Sequence, residues 1–288
     1  MSELQRKKMI KILDWNSMDI ERKLRFKGSK YTDVNMYLSF MFGALLTLMF
    51  YGAVVLAKDF IYISEFFLKR GITQYATMFF SYWSLAILFF KWRKLIVQQK
   101  ALTLAVVPHA HNFELTVSNA KDILERMHDL VDNTEHFILL NRIDRALSNL
   151  HNIGMIADVS EVLRSQAEND EDTMESSYAL VKGFIWAIPV LGFIGTVLGL
   201  SQAIGNFGTV LSAAQGIENL KDSLRNVTSG LSVAFDTTLL ALIAALSIQL
   251  ILIALKKKEE NFLDECKEYC HANIISKLRL VNDQQIHI

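Results

Sequence analysis

The chain has 288 residues, with equal numbers of acidic and basic side chains and a mean hydropathy of +0.24. A zero net charge gives no reason to expect nucleic-acid binding. Hydrophobic residues make up 51% of the chain and are gathered in long runs, which excludes an ordinary soluble domain. The long periodic runs favour α-helices over the short alternating strands of a membrane barrel.

Four apolar segments are long enough to cross the membrane, since about 20 helical residues span roughly 30 Å of hydrocarbon. They comprise residues 34–57, 71–90, 183–217 and 231–255. The first three contain no charged residue, and the fourth contains only Asp236. The sequence therefore predicts an all-α polytopic membrane protein with four transmembrane helices.

The basic residues indicate the topology of these spans. Arg22, Lys23, Arg25, Lys27 and Lys30 precede span 1, and Lys91, Arg93, Lys94 and Lys100 follow span 2. Lys182 precedes span 3, and Lys256, Lys257 and Lys258 follow span 4. The positive-inside rule then places both termini and the segment between spans 2 and 3 in the cytoplasm. No secretory signal is evident, because the first apolar run is too long and continues into a second span.

The predicted organisation has five parts. Residues 1–33 form a cytoplasmic amphipathic N-terminus, residues 34–90 a transmembrane hairpin, and residues 91–182 a cytoplasmic helical region. Residues 183–255 contain spans 3 and 4 with an extracytoplasmic connector, and residues 256–288 form a cytoplasmic C-terminal helix. Glycine and proline are absent from residues 155–182 and 231–288. Two of the spans are therefore expected to extend into the cytoplasm as long helices.

Asp236 is the first candidate functional residue. A carboxylate at the centre of a bilayer costs about 2.5–3.5 kcal/mol on insertion scales, so it marks an ion path or a functional contact. Thr237 and Thr238 follow it directly. At 100° per residue, Asp236 lies about 200° around the helix from Thr238. We expect Thr238 to face the central helices of an assembly, with Asp236 facing span 3 or a crevice between subunits.

Small residues form one face on each of spans 3 and 4. The spacing i, i+3, i+4, i+7 brings a threonine into each face, which consists of Gly192, Gly195, Thr196 and Gly199 on span 3 and of Ala234, Thr238, Ala241 and Ala245 on span 4. Such faces pack against a partner helix or line a narrow conduit. The threonine hydroxyls either relay a proton or solvate an ion, or they bond back to the carbonyl one turn earlier.

These motifs resemble the MotA/TolQ/ExbB proton-channel family. The resemblance is carried by Gly195-Thr196-Val-Leu-Gly199 and, about forty residues later, by Gly230 to Thr238-Leu-Leu-Ala-Leu. In TolQ and ExbB, similar stretches supply the two pore threonines. The chain departs from TolQ and ExbB in having four predicted spans, as MotA does, yet it lacks a MotA-like Pro-Gly-Leu-Gly signature. Val233 stands where TolQ and ExbB often have a glutamate.

The resemblance implies an ion-channel or stator subunit of an ion-driven motor in the bacterial inner membrane. Five copies would surround a dimer of a single-span partner, of the ExbD, TolR or MotB kind, that carries a membrane aspartate. Protons or sodium ions would pass Thr196, Thr237, Thr238 and Asp236, with no cofactor. The ion is a proton or sodium, and the work done is nutrient uptake, motility, envelope maintenance or defence.

The same residues allow two other functions. In a non-conducting scaffold or an assembly protein of a transport complex, the glycines and threonines only pack. An intramembrane aspartyl protease needs two acids, whereas the spans contain Asp236 alone, and no nucleophile elbow, P-loop or zinc-protease motif occurs. Cys266, Cys270 and His271 lack further metal ligands at a recognisable spacing, so we predict neither an enzyme nor a metal site.

Overall fold

A computed structural model of the chain describes residues 12–26, 28–56, 66–68, 71–104, 106–108, 113–148, 150, 156–212 and 217–279. Residues 1–11 and 27 of the predicted amphipathic N-terminus, and most of the loop between spans 1 and 2, lie outside these residues. The described part is helical, and its α-helices are α1 (Trp15–Met18), α2 (Ile20–Lys23), α3 (Met36–Leu56), α4 (Ile72–Leu102), α5 (Val117–Leu130), α6 (Ile138–Ser148), α7 (Ile156–Ser177), α8 (Ala179–Ser212) and α9 (Ile217–Cys270).

Among the described residues, three stretches are apolar and long enough to cross a membrane: Met36–Leu56, Ile156–Gly205 and Leu224–Ile275. They overlap predicted spans 1 and 3 and contain predicted span 4. Predicted span 2 lies in α4, which is not among the three, because polar residues such as Gln74, Thr77 and Ser81 dilute its hydropathy. The chain is therefore an all-helical membrane protein with three apolar membrane-span candidates, and the fourth span stays a prediction.

The two long predicted helices differ in continuity. α9 runs unbroken for 54 residues, because no glycine or proline interrupts it after Gly230. The helix predicted to enter span 3 is divided at Tyr178 into α7 and α8. Pro189 lies inside α8 and leaves the carbonyl of Ile185 without its usual helical donor, which membrane helices tolerate.

The chain divides into two compact units. Unit 1 comprises Met1–Asn35, Phe89–Ser177 and Leu255–Ile288, and unit 2 comprises Met36–Leu88 and Tyr178–Ala254. In unit 2, α3 packs on α4 through Gly43, whose ideal Cβ position is 2.7 Å from the Cα of Trp83. The indole of Trp83 donates to Ser39 Oγ over 3.2 Å, and its ring contacts Phe184 of α8 at 4.7 Å between centroids.

Unit 1 has its own core. Trp15 is fully buried and makes an edge-to-face contact with Phe137, with ring centroids 5.3 Å apart. A buried ion pair joins α6 to α7, with 2.7 Å between Arg142 Nε and Asp170 Oδ2. Burial raises the pKa of Asp170, and the Arg142 guanidinium opposes that shift. These contacts hold the helices of unit 1 around a mixed apolar and ionic interior.

A second buried polar cluster in unit 1 joins four distant parts of the chain. We call it the buried junction, and it consists of Thr32, Lys91, Ser177 and Glu259. Lys91 Nζ is 3.6 Å from Glu259 Oε2, donates to Ser177 Oγ over 2.8 Å and donates to the Thr32 carbonyl over 3.4 Å. The Thr32 hydroxyl donates to the Glu259 carboxylate. Burial lowers the pKa of Lys91, whereas Glu259 raises it.

Candidate functional site

Helices α8 and α9 pack against each other in an antiparallel pair through their small residues. An ideal Cβ on Gly192 would be 2.6 Å from the Cβ of Ala241, and one on Gly199 would be 3.3 Å from the Cβ of Ala234. A side chain at Gly192 would force the helices apart, because Cβ atoms do not approach so closely. The absence of side chains there lets the two backbones approach.

The hydroxyls of Thr196 and Thr238 meet between these helices. The two oxygens share a hydrogen bond in which either group can be the donor. Thr196 Oγ1 is also 3.1 Å from the Ala234 carbonyl and 3.2 Å from the Gly192 carbonyl, while Thr238 Oγ1 is 3.0 Å from the latter. The sequence alone placed these threonines only on separate helix faces, and the fold brings them together.

The hydroxyl pair has more hydrogen-bond acceptors around it than protons to donate. Two hydroxyls supply two protons, while two carbonyl oxygens and the hydroxyl oxygens themselves can accept them. Each threonine hydroxyl can therefore donate its proton either to a backbone carbonyl or to the other hydroxyl, and it switches between them by rotation about one bond. Such an arrangement can pass a proton along or offer oxygen ligands to a small cation.

Thr237 lies on the adjacent side of α9 and is 4% exposed. Its hydroxyl donates to the Ala234 carbonyl over 2.8 Å. The oxygens of Thr237 and of Thr73 on α4 lie 2.9 and 2.8 Å from the ideal Cβ position of Gly195. Three helices of unit 2 thus bring hydroxyls close to Gly192 and Gly195. The predicted site omitted Thr73, although its position among the hydroxyls of span 2 was a usable signal.

The remaining predicted residues take separate positions. Asp236 is half-buried, on the far side of α9 from the fully buried Ala234. Ala245 is buried at the edge of an apolar groove between α8 and α9, which is lined by Ile185, Trp186, Pro189, Val190, Phe193, Leu242, Ala245, Leu246 and Gln249. The predicted packing face, Gly192, Gly195, Gly199, Ala234 and Ala241, forms the contact between α8 and α9 of one chain. Its role toward a partner helix stays a prediction.

The two cysteines belong to unit 1. Cys266 and Cys270 are buried, and burial raises the pKa of both thiols, that of Cys270 to about 12. Within the described residues, no group of three or more His, Cys, Asp or Glu side chains is placed to hold a metal ion.

Residues 133–268 match the MotA/TolQ/ExbB proton channel family. This match confirms the resemblance drawn from the two threonine segments. It covers a little under half of the chain, from before α6 to near the end of α9, and so includes both threonines and Asp236. Searches of curated proteins and of solved structures gave no significant match.

Proposed function

Because residues 133–268 match the MotA/TolQ/ExbB proton channel family, we propose that this chain is the ion-channel subunit of a membrane motor driven by an ion-motive force. Its flow of protons or sodium ions is coupled to rotation and to mechanical work across the envelope. The observation that carries the proposal is the shared hydrogen bond between Thr196 and Thr238. Members of this family are channel-type proteins, and we propose no enzymatic activity.

The hydroxyl pair is suited to this role because it lies in the most apolar part of the chain. An ion that sheds water there needs oxygen ligands, and the threonine hydroxyls and the Gly192 carbonyl supply them. Thr237 and Asp236 flank the pair on α9 and are proposed to belong to the same path. We propose no cofactor, with H⁺ or Na⁺ as the translocated ion.

The position of the buried junction in the chain is an argument for four membrane-spanning helices. Thr32 precedes α3, Lys91 follows predicted span 2, Ser177 precedes α8, and Glu259 follows predicted span 4. Their mutual contacts mean that the chain leaves unit 1 and returns to it twice. If α3 and α9 cross the bilayer, α4 and α8 are needed for the return. We therefore propose four spans in the bacterial inner membrane, with both termini in the cytoplasm.

The proposed assembly is a homopentamer around a dimer of a single-span protein of the ExbD, TolR or MotB kind. The partner carries a membrane aspartate that receives the ion near the threonines. Five copies and two partner helices cannot satisfy all contacts at once, and this mismatch drives stepping. Native mass spectrometry of the chain, co-expressed with a candidate partner from the same gene neighbourhood, tests the stoichiometry.

Ion flux into proteoliposomes tests the function itself. Thr196→Val and Thr238→Val keep the side-chain shape and remove the hydroxyl, so flux should fall at least tenfold while the oligomer survives. Ser substitutions should retain flux. The matched control is Ser247→Ala, which removes an exposed hydroxyl of α9 that donates to the Ile243 carbonyl over 2.8 Å. Wild-type flux in both valine variants would overturn the proposal.

One observation favours a non-conducting scaffold or an assembly protein of a transport complex. The hydroxyls of Thr196, Thr237 and Thr238 all find partners within one chain, as packing residues do. In a scaffold, the valine variants weaken assembly, and the wild-type complex carries no ion flux. The same flux and mass measurements therefore separate the two functions.

A further inference from the structure

Residues 12–26 form a strap across unit 1 that is bound to the segment between α5 and α6. The Asp132 amide of that segment donates to the Leu13 carbonyl over 3.3 Å. The Asp132 carboxylate accepts from the Trp15 amide over 3.1 Å and from the Asn16 side-chain amide over 3.0 Å. The Trp15 side chain is fully buried. The strap is therefore docked by a small set of polar contacts around one buried indole.

His136 provides a contact of the strap that depends on pH. It ends a 3₁₀ turn before α6, and its ring packs on the Trp15 indole with the centroids 5.6 Å apart. Its Nε2 is 3.1 Å from Nη2 of Arg22, which belongs to α2 of the strap. A guanidinium stays protonated and can only donate, so Nε2 must be the acceptor. The docked strap therefore requires a neutral imidazole whose proton is on Nδ1.

The surroundings of His136 disfavour the imidazolium. Its Nδ1 is buried and has no hydrogen-bond partner among the described residues. The charged groups that face the ring are Arg22, Asp132, Glu135 and Lys30. Burial lowers the pKa of His136, the two cations add to that shift, and the two carboxylates oppose it. From α4, the neutral Gln98 donates to the His136 carbonyl over 2.6 Å. Protonation would place two cations side by side and remove the acceptor for the guanidinium.

We propose that His136 is a pH-sensitive switch for the strap, which is docked on unit 1 while the imidazole is neutral and is released when the imidazole gains a proton. The Arg22 guanidinium also donates to the Asn16 side chain over 2.9 Å, so its displacement disturbs α1 and α2 together. These contacts all lie within unit 1, and the switch does not depend on ion conduction. In the proposed topology, unit 1 is cytoplasmic, and acidification of the cytoplasm is the signal.

The direction of the pH effect follows from the lowered pKa of His136. The docked strap holds the proton less tightly than the released strap, so docking is complete above about pH 6.5 and weakens as pH falls below it. At pH 5.5, release becomes up to about tenfold more favourable. Asp19 of the strap has the opposite effect, because burial raises the pKa of its carboxyl and acid favours its docked form. A variant of His136 separates the two effects.

Hydrogen–deuterium exchange of the full chain in detergent micelles tests the switch. Protection of the strap amides is compared at pH 7.5 and pH 5.5, and each rate is divided by that of the denatured chain at the same pH. His136→Gln keeps a neutral acceptor for Arg22. The matched control is His128→Gln, since His128 is 54% exposed on α5 and pairs with Asp144, 3.4 Å away.

Strap protection in the wild type and in His128→Gln should fall by about three- to tenfold between pH 7.5 and pH 5.5. In His136→Gln it should stay constant or rise, because only Asp19 remains to respond. Constant protection in the wild type, or an equal fall in His136→Gln, would overturn the switch, as would loss of the response in His128→Gln.

A second variant tests the switch if His136→Gln does not fold. In Arg22→Gln, the side-chain carbonyl can accept from the protonated imidazole, and no second cation opposes it. The strap should therefore stay docked at pH 5.5. A fall in protection equal to that of the wild type would show that the pairing of Arg22 with His136 does not control docking.

Discussion

Lys91 Nζ lies 3.6 Å from Glu259 Oε2, and both side chains are almost completely buried although 168 positions separate them in sequence. Lys91 also contacts Thr32 and Ser177, so one ammonium group connects the chain segments that flank both predicted hairpins. A buried ammonium is tolerated only where carboxylate and hydroxyl partners replace its water. The junction therefore fixes the positions of these four segments in unit 1.

Charge reversal in the junction should be strongly destabilising. Lys91→Glu or Glu259→Lys leaves like charges buried together, so each should cost about 3–5 kcal/mol. The double variant restores opposite charges and should recover a large part of the loss, as measured by thermal unfolding in detergent. The control is the exposed pair Lys257 and Glu260, 3.7 Å apart, where reversal at Lys257 should cost at most about 1 kcal/mol. A double variant no more stable than the singles would contradict the pairing.

The contact between α8 and α9 leaves no room for a methyl group at Gly192. A Cβ there would be 2.6 Å from the Ala241 Cβ and 3.2 Å from the Thr238 Cα, so Gly192→Ala should cost about 1–3 kcal/mol. Because it moves Thr238 away from Thr196, it should also reduce ion flux. Gly183→Ala on the same helix meets no heavy atom within 4 Å and is the matched control. Equal melting temperatures of the two variants would show that α8 and α9 do not pack this closely.

Asp19 should make stability depend on pH. It is 2% exposed, and burial raises the pKa of its carboxyl above the usual 3.8, with Lys94 and Arg22 opposing and Glu21 reinforcing the shift. The folded state therefore holds the proton more tightly than the unfolded state, and stability falls as pH rises from about 3.8 through the folded pKa. Asp19→Asn removes this loss and keeps the Oδ1 acceptor for the Glu21 amide. It should melt higher than the wild type at pH 7, by a margin that shrinks toward pH 4.

The control for that experiment is Asp14→Asn. Asp14 is also the N-cap of a short helix and accepts from the Asn16 amide over 3.1 Å, but this contact is exposed to solvent. Its substitution should change the melting temperature less than Asp19→Asn does at pH 7. A larger gain at Asp14 would show that capping, rather than carboxylate burial, sets the difference.

The native thiols should be inert in the folded protein. Cys266 and Cys270 are buried, and their raised pKa values keep them protonated at pH 7. A maleimide should label neither residue until the protein is unfolded, as followed by mass spectrometry. Lys257→Cys, at a position 67% exposed on the same helix, should be labelled immediately. Comparable rates at the native and introduced thiols would mean that this part of α9 is open to solvent.

Much of the helical architecture follows from local pattern. Apolar runs of about 20 residues predict spans, and the absence of glycine and proline after Gly230 predicts the long α9, because both signals act through neighbouring residues. Span 2 has a lower hydropathy than the other spans because of its hydroxyl and amide side chains, and its contacts with α3 show where it packs.

The small-residue faces, the two threonines and the isolated Asp236 follow from the amino-acid sequence, because helical periodicity assigns each residue to a side of its own helix. Which of these sides meet depends on the packing of the helices. The pairing of Thr196 with Thr238 spans 42 positions and that of Thr32 with Glu259 spans 227. Such pairs depend on how glycines let particular helices approach and on which buried charges need partners, and neither condition can be read from the periodicity of one helix.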